Sequence, residues 1–304
     1  MRLNFDTLDV FTEHRFGGNP LAVVHGADAL NSEEMQTIAR EFALSETVFV
    51  LRSERPAHTA RIRIFTPARE LPFAGHPTVG TAALLAELHA PETNGERDAL
   101  IVLELEIGTV RVGVRQRPGK AAFCEFDLPK LPERGVLPPP AERIAAALSL
   151  IPSEIGFENH RPTIFSAGVP YVCIPVTSLA AIGRAAVQSP AFGTLFAPPL
   201  PGGVFLYTRE CAHTTSAFHA RMFWPEAGVI EDPATGSAAA AFAGAVQQFD
   251  SLPDGLHKRV IEQGFEMGRP SLITLSLQVE GGKLANARIG GHSVRISQGT
   301  IGVR

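Results

Sequence analysis

The sequence predicts a mixed α+β fold of two similar halves, each with a strongly bent, mainly antiparallel sheet. Three observations carry this expectation. The 304 residues exceed what a single hydrophobic core serves well, which favours two domains. Strand-like and helix-like patterns alternate along the chain, in a composition of 45% hydrophobic and 19% charged residues that folds throughout rather than staying disordered. Two short blocks of sequence also recur, in the same order, in the first and second halves of the chain.

In chain order, the opening Met1-Arg2-Leu3-Asn4-Phe5-Asp6 alternates like a strand. Asn31 and Glu34 make a capping-box-like start, and Met35, Ile38, Ala39 and Phe42 then recur at helical spacing, predicting a helix from 32 to 42. Glu46 to Val50 is β-branched and aromatic, so Glu46 opens an otherwise apolar strand. Arg61 to Phe65 reads as another strand and the Ala/Leu-rich stretch Thr78 to Leu88 as a helix. Ala99 to Ile107, Thr109 to Arg115 and Ala121 to Leu128 read as an antiparallel meander turning near Gly108 and Gly119.

Five prolines between Pro129 and Pro140 cannot build a ladder, so this stretch is expected to link the domains, 1–129 and 130 onwards. Beyond it the pattern resumes: a helix near 141–149, strands near 163–166 and 171–176, and a short helix after Ser178. Strands near 203–207 and 217–223 and a helix from 236 to 248 follow. The tail from Thr274 to Val303 reads as three short strands punctuated by Gly281-Gly282 and Gly290-Gly291.

The recurring blocks point at a site. Arg63-Ile64-Phe65-Thr66-Pro67 is echoed by Arg221-Met222-Phe223-Trp224-Pro225, and His76-Pro77-Thr78-Val79-Gly80-Thr81-Ala82-Ala83 by Asp232-Pro233-Ala234-Thr235-Gly236-Ser237-Ala238-Ala239. Each pair reads strand, loop, helix, which implies duplication and a pseudo-symmetric molecule with a cleft between its halves. Proline is tolerated in a first helical turn, and glycine lets a bound group approach the backbone. Such a helix start, with unpaired N–H groups and the positive end of the macrodipole, suits a carboxylate or other anion. The plainer alternative is that both blocks are only well-formed helix caps. The residue before each proline, His76 in one half and Asp232 in the other, carries a titratable proton. Glu46 adds a third such group, and its place at the head of an apolar strand favours the neutral form by desolvation, as proton transfer near neutral pH requires.

Several strings, in order, resemble the PhzF-like (phenazine-biosynthesis) family: Phe11-Thr12 with Gly18-Asn19-Pro20, Leu44-Ser45-Glu46-Thr47, Phe73-Ala74-Gly75-His76-Pro77, and Glu231-Asp232-Pro233-Ala234-Thr235-Gly236-Ser237-Ala238. The resemblance spans most of the chain. It implies the diaminopimelate-epimerase-like fold, in which each half wraps a bent sheet around a central helix. A second half of 130–288 and a last strand, 289–304, returning to the first half are then expected. It further implies a cofactor-independent isomerase that moves a proton within a small carboxylated metabolite, cyclic in the best-known member. Glu46 matches the family's acid/base, with His76 and Asp232 assisting. Asn19, Ser45, Gly75, Thr81, Gly236 and Ser237 are expected to contact substrate, and a homodimer is expected. Related racemases use paired cysteines at these helix starts, where this chain has Ala74, His76 and Asp232, so two-thiol chemistry is not expected.

Other chemistries find little footing. A net charge of -4 and no Lys/Arg run longer than two residues argue against nucleic acid. No phosphate-cradling G-x-x-x-x-G-K-[ST] or G-x-G-x-x-G string is present, and Ser237 lacks the second glycine of a nucleophile elbow. Cys124, Cys173 and Cys211 are far apart and read as packing residues. The ten histidines show no metal-ligand spacing, although His213 and His219 are near neighbours, and most read as surface residues. With no signal-like or bilayer-spanning apolar run, a cytoplasmic location and no membrane partner are expected. A non-catalytic protein that keeps the fold and binds a small acid, or serves as a scaffold, is the rival reading. The retention of Glu46, His76 and Asp232 together favours the enzyme.

Overall fold

The computed structural model describes residues 1–89 and 95–303. They form two compact units, one of residues 1–129 with 290–304 and one of residues 130–289. Ile289 is grouped with the second unit although it is part of the strand that returns to the first, and Arg304 lies outside the described residues.

The first unit runs β1 (Arg2–Val10), β2 (Asn19–Val24), α1 (Ser32–Phe42), β3 (Glu46–Leu51), β4 (Ala60–Phe65), β5 (Glu70–Leu71), α2 (Gly75–His89), β6 (Arg97–Leu105), β7 (Gly108–Gln116) and β8 (Ala122–Asp127). Helix α1 begins where the sequence places it. Asn31 Oδ1 accepts from the Glu34 N–H at 2.9 Å, Glu34 Oε2 accepts from the Asn31 N–H at 3.0 Å, and Ala43 closes the helix in the left-handed region. Its apolar stripe of Met35, Ile38 and Ala39 packs with Val24, Phe49 and Phe65 on one face of the sheet. Helix α2 has no polar stripe: Gly75 to Ala86 are all buried. A helix apolar all round can only be enclosed, and α2 contacts β1, β2, β3, β6, β7 and β8. Covered by α1 on one side and α2 on the other, β2 buries every side chain but that of Pro20, and β3 buries Thr47, Val48 and Phe49.

The second unit runs β9 (Glu133–Arg134), α3 (Ala141–Ala147), β10 (Thr163–Ser166), β11 (Pro170–Pro175), α4 (Leu179–Arg184), α5 (Ser189–Leu195), β12 (Val204–Thr208), β13 (Phe218–Trp224), β14 (Val229–Asp232), α6 (Gly236–Phe249), β15 (Gly255–Gln263) and β16 (Ser271–Glu280), and β17 (Lys283–Gly302) starts in it and continues into the first unit from Gly290. Helices α3, α4 and α5 cover one face through Ile144, Leu148, Ile182 and Phe192. Helix α6 is again enclosed, against β9, β10, β11 and β16. No helix among the described residues is long and apolar enough to cross a membrane.

Strand pairing repeats between the units. β1–β2, β3–β4, β4–β5 and β6–β7 are antiparallel, whereas β2–β3 and β4–β6 are parallel. The second unit follows the same order, with β10–β11, β12–β13, β13–β14 and β15–β16 antiparallel and β11–β12 and β13–β15 parallel. Register makes the match residue by residue. Phe65 pairs with Thr47 and its counterpart Phe223 with Val204, so Gly203 stands where Glu46 stands. Ala22 pairs with Thr47 and Val172 with Val204, which aligns Gly18-Asn19-Pro20 with Gly168-Val169-Pro170, a third block whose glycines both have positive φ.

Two expectations fail here. The proline-rich segment does carry a short strand, β9, placed between Pro132 and Pro138 and paired with Phe165 and Ser166 of β10. The tail is two long strands, not three short ones. Gly281 and Gly282, both at positive φ, turn the chain between β16 and β17, but Gly290-Gly291 stays extended inside β17. At Gly290 a Cβ would come within 2.9 Å of the Cys124 carbonyl oxygen of β8, so the missing side chain admits close strand packing rather than marking a turn. From Ser293 to Gly302 β17 then pairs antiparallel with β1.

Candidate active site

Glu46 is the first residue of β3, set beside Leu21 of the parallel strand β2. His76 lies in the first turn of α2, which begins at Gly75. Its Nε2 stands 3.4 Å from Glu46 Oε2, with side chains 4% and 16% exposed respectively. The contact is longer than a well-made N–H···O bond, and His76 Nε2 has no hydrogen-bond partner. Burial pushes the His76 imidazole down to about 3, so it is neutral at physiological pH. The pair is therefore a carboxyl group facing a neutral ring rather than an ion pair.

Around this pair Gly75 is buried and Ser45 half-buried. Asn19 opens β2 and is fully buried. Thr81 is fully enclosed, with no partner for its Oγ1.

Asp232 is the last residue of β14, paired with Met222, and lies four residues before α6 rather than at the helix mouth. The matched blocks thus differ locally: α2 has an extra turn that takes in His76, while α6 starts only at Gly236. The Asp232 carboxylate accepts from Thr235 Oγ1 at 2.5 Å. Gln263, fully buried, donates from Nε2 to the Asp232 carbonyl at 2.7 Å and to Thr235 Oγ1 at 3.1 Å, and accepts from the Thr235 N–H at 3.2 Å. At the start of α6 Gly236 is buried and Ser237 half-buried, its hydroxyl 2.8 Å from the Tyr171 hydroxyl. Tyr171 leans edge-on to Trp224. A Cβ at Gly203 would meet the Tyr171 ring at 2.8 Å, so the counterpart of Glu46 is a space filled by aromatic rings.

Sequence reasoning missed Thr235, Gln263 and Tyr171. Thr235 lay inside the quoted string and could have been weighed as a hydroxyl three residues after Asp232, whereas Gln263 comes from a distant strand and left no local signal. It also missed a matched pair of clamps. Arg63 grips Glu70 through Nε and Nη2 at 2.6 and 2.5 Å, and Arg221 grips Glu231 through the same atoms at 2.8 Å each. Each clamp closes the hairpin that leads into a buried helix.

The histidines depart from expectation, since only His14, His89 and His213 are exposed. His219 is enclosed between Glu262 and Glu266, at 2.8 and 2.9 Å. Burial alone would lower its pKa, but the two carboxylates raise it to about 9. Cys124 and Cys173 are buried, with burial raising both thiols, and burial also pushes the half-buried Cys211 up to about 12. None is a ready thiolate near neutral pH. Among the described residues no three His, Cys, Asp or Glu side chains gather as a metal-binding group.

Comparison with known proteins decides the family: the model of the phenazine biosynthesis-like proteins matches residues 8–299. The chain belongs to this family. It is 54% identical to an uncharacterized isomerase of Mesorhizobium japonicum, covering 98% of each chain. It is 35% identical to the trans-2,3-dihydro-3-hydroxyanthranilate isomerase of Pseudomonas aeruginosa, covering 96% of each. The Bacillus anthracis phenazine biosynthesis protein of the PhzF family superposes with a TM-score of 0.87 at 27% identity, covering 99% of both chains. The chain is thus an isomerase of the PhzF type, with the fold of that family. Its candidate acid/base groups are the residues just described.

Proposed function

We propose that this isomerase moves a proton within a small carboxylated metabolite, without a cofactor, using Glu46 as the group that takes up and returns the proton. One observation carries the reading: the Glu46 carboxyl faces the buried, neutral imidazole of His76 at 3.4 Å. A neutral imidazole donates from one ring nitrogen and accepts at the other. It can therefore serve a carboxylate as donor or a carboxylic acid as acceptor, and a small approach from 3.4 Å closes the bond in either state. A positioned carboxyl group in such surroundings suits general acid/base work. Glu46 is the more exposed partner and is the one assigned to the substrate, with His76 behind it. Asp232 is assigned as a further proton-bearing group, and Asn19, Ser45, Gly75, Thr81, Gly236 and Ser237 as substrate contacts.

The P. aeruginosa relative supplies the first compound to try. Incubated with trans-2,3-dihydro-3-hydroxyanthranilate in heavy water, the protein is expected to isomerise it with deuterium entering the ring, as read by NMR. No isomerisation and no exchange, with this compound or with related small carboxylates, would overturn the proposal in favour of a binding protein. We also propose a homodimer, and sedimentation giving 32.5 kDa at all micromolar concentrations would refute it.

A further inference from the structure

Four hydrogen bonds link Gln263, Thr235 and Asp232. The Gln263 amide has one assignment that fits, because its Oε1 accepts the Thr235 N–H while its Nε2 donates to the Asp232 carbonyl. Flipped, it would set oxygen against oxygen and N–H against N–H. With that assignment fixed, the second Nε2 proton points to Thr235 Oγ1 at 3.1 Å. Thr235 Oγ1 thus accepts from Gln263 and spends its single proton on Asp232 Oδ2 at 2.5 Å. The chain of donors has one direction: Gln263 to Thr235 to Asp232. Its base is rigid, since Gln263 is fully buried and a Cβ at the adjoining Gly264 would lie 2.5 Å from the Pro233 carbonyl oxygen.

We infer that Thr235, oriented by Gln263, is the positioning residue for Asp232, holding Oδ2 as an acceptor and so fixing the carboxylate for its part in the reaction. This rests on the proposed part of Asp232 in the chemistry. A carboxylate bound by a fixed hydroxyl keeps one rotamer, which is what a proton-transfer group needs. Valine in place of threonine keeps the shape and removes the donor, and serine restores it.

The test has a kinetic and a substrate-free arm. With trans-2,3-dihydro-3-hydroxyanthranilate, Thr235→Val is expected to lower kcat by about ten- to a hundredfold with KM within about twofold, and Thr235→Ser to recover most of the loss. In an Asp232→Asn background Thr235→Val should add almost nothing, because both changes act through one carboxylate; a purely structural role would add its full cost. Losses that multiply, or a Thr235→Val enzyme as fast as wild type beside an inactive Asp232→Asn, overturn the inference. Wild-type turnover by Asp232→Asn, or none by the unaltered protein, overturns the functional reading instead. The second arm follows the Asp232 carboxyl by ¹³C NMR in the whole chain without ligand. Removing the donor, by Thr235→Val or by Thr235→Ala if valine does not fold, should move its titration midpoint up and Thr235→Ser should bring it back. An unmoved midpoint refutes the inference whatever the substrate.

Discussion

Glu46 occupies, at the head of β3, the position that Gly203 occupies before β12. The registers that establish this, Thr47 with Phe65 and Val204 with Phe223, also show how far the halves have diverged around a shared frame. Both keep the clamped hairpin and the enclosed helix. One half carries a carboxyl group at the strand head, and the other fills that place with the rings of Tyr171 and Trp224.

Glu46 therefore has no understudy in the duplicated half, and Glu46→Gln is expected to lower kcat by ~10²- to 10⁴-fold. Glutamine keeps the size and hydrogen-bonding reach beside His76 but cannot take up and return a proton. The thermal midpoint should stay close to wild type. Steady-state rates and a melting curve on the same preparation check this, and wild-type turnover by the variant would sink the proposed role.

His76 makes stability fall with acid. An unfolded imidazole binds a proton near pH 6.5, whereas burial delays that in the fold to about 3. Between these values the unfolded chain holds the extra proton, so stability drops as pH falls, by about 1.4 kcal/mol per pH unit at most. Urea unfolding at pH 4.5 and pH 7 should show a smaller difference for His76→Gln than for wild type. An equal difference would mean that His76 titrates normally.

His219 acts with the opposite sign. Its folded pKa of about 9 lies above the ordinary imidazole value of 6.5, so its stabilising contribution is complete below pH 6.5 and fades as pH rises towards 9. His219→Gln should be less stable than wild type at pH 6, with the deficit shrinking by pH 9.5. A deficit independent of pH would show that the ring works through packing alone.

Much of this was legible locally. The helix of residues 32–42 carries its own cap, and the duplicated blocks exposed both strand–loop–helix units because Arg63 and His76 recur in the same order as Arg221 and Asp232, with a slightly longer loop in the first copy. What stayed hidden was set by pairing over long distances. Gly290-Gly291 reads as a break, since glycine pairs usually punctuate strands, yet here the lost side chain admits β8. The charged cluster around His219 draws on β13, β15 and the turn after it, and sequence separation gave no hint of that meeting. The third block, Gly18-Asn19-Pro20 against Gly168-Val169-Pro170, is too short to notice without the registers.

The two clamps offer the last prediction, because the same bidentate geometry sits at different depths. Arg221 is 9% and Glu231 16% exposed, against 20% and 31% for Arg63 and Glu70. Arg221 Nη1 also donates to the carbonyls of Ile182 and Ala185, at 3.0 and 2.8 Å, where α4 ends. Arg221→Met would leave Glu231 half-enclosed without its partner and these carbonyls without their donor. Removing one member of a buried pair typically costs about 3–5 kcal/mol. Arg63→Met breaks a more hydrated pair and also loses one bond, from Nη2 to Ser32 Oγ, so a cost nearer 1 kcal/mol is expected. Urea unfolding of the two variants should separate them by at least about 2 kcal/mol. Equal costs would mean that burial does not set the strength of these clamps, and that the second half is no more dependent on its arginine than the first.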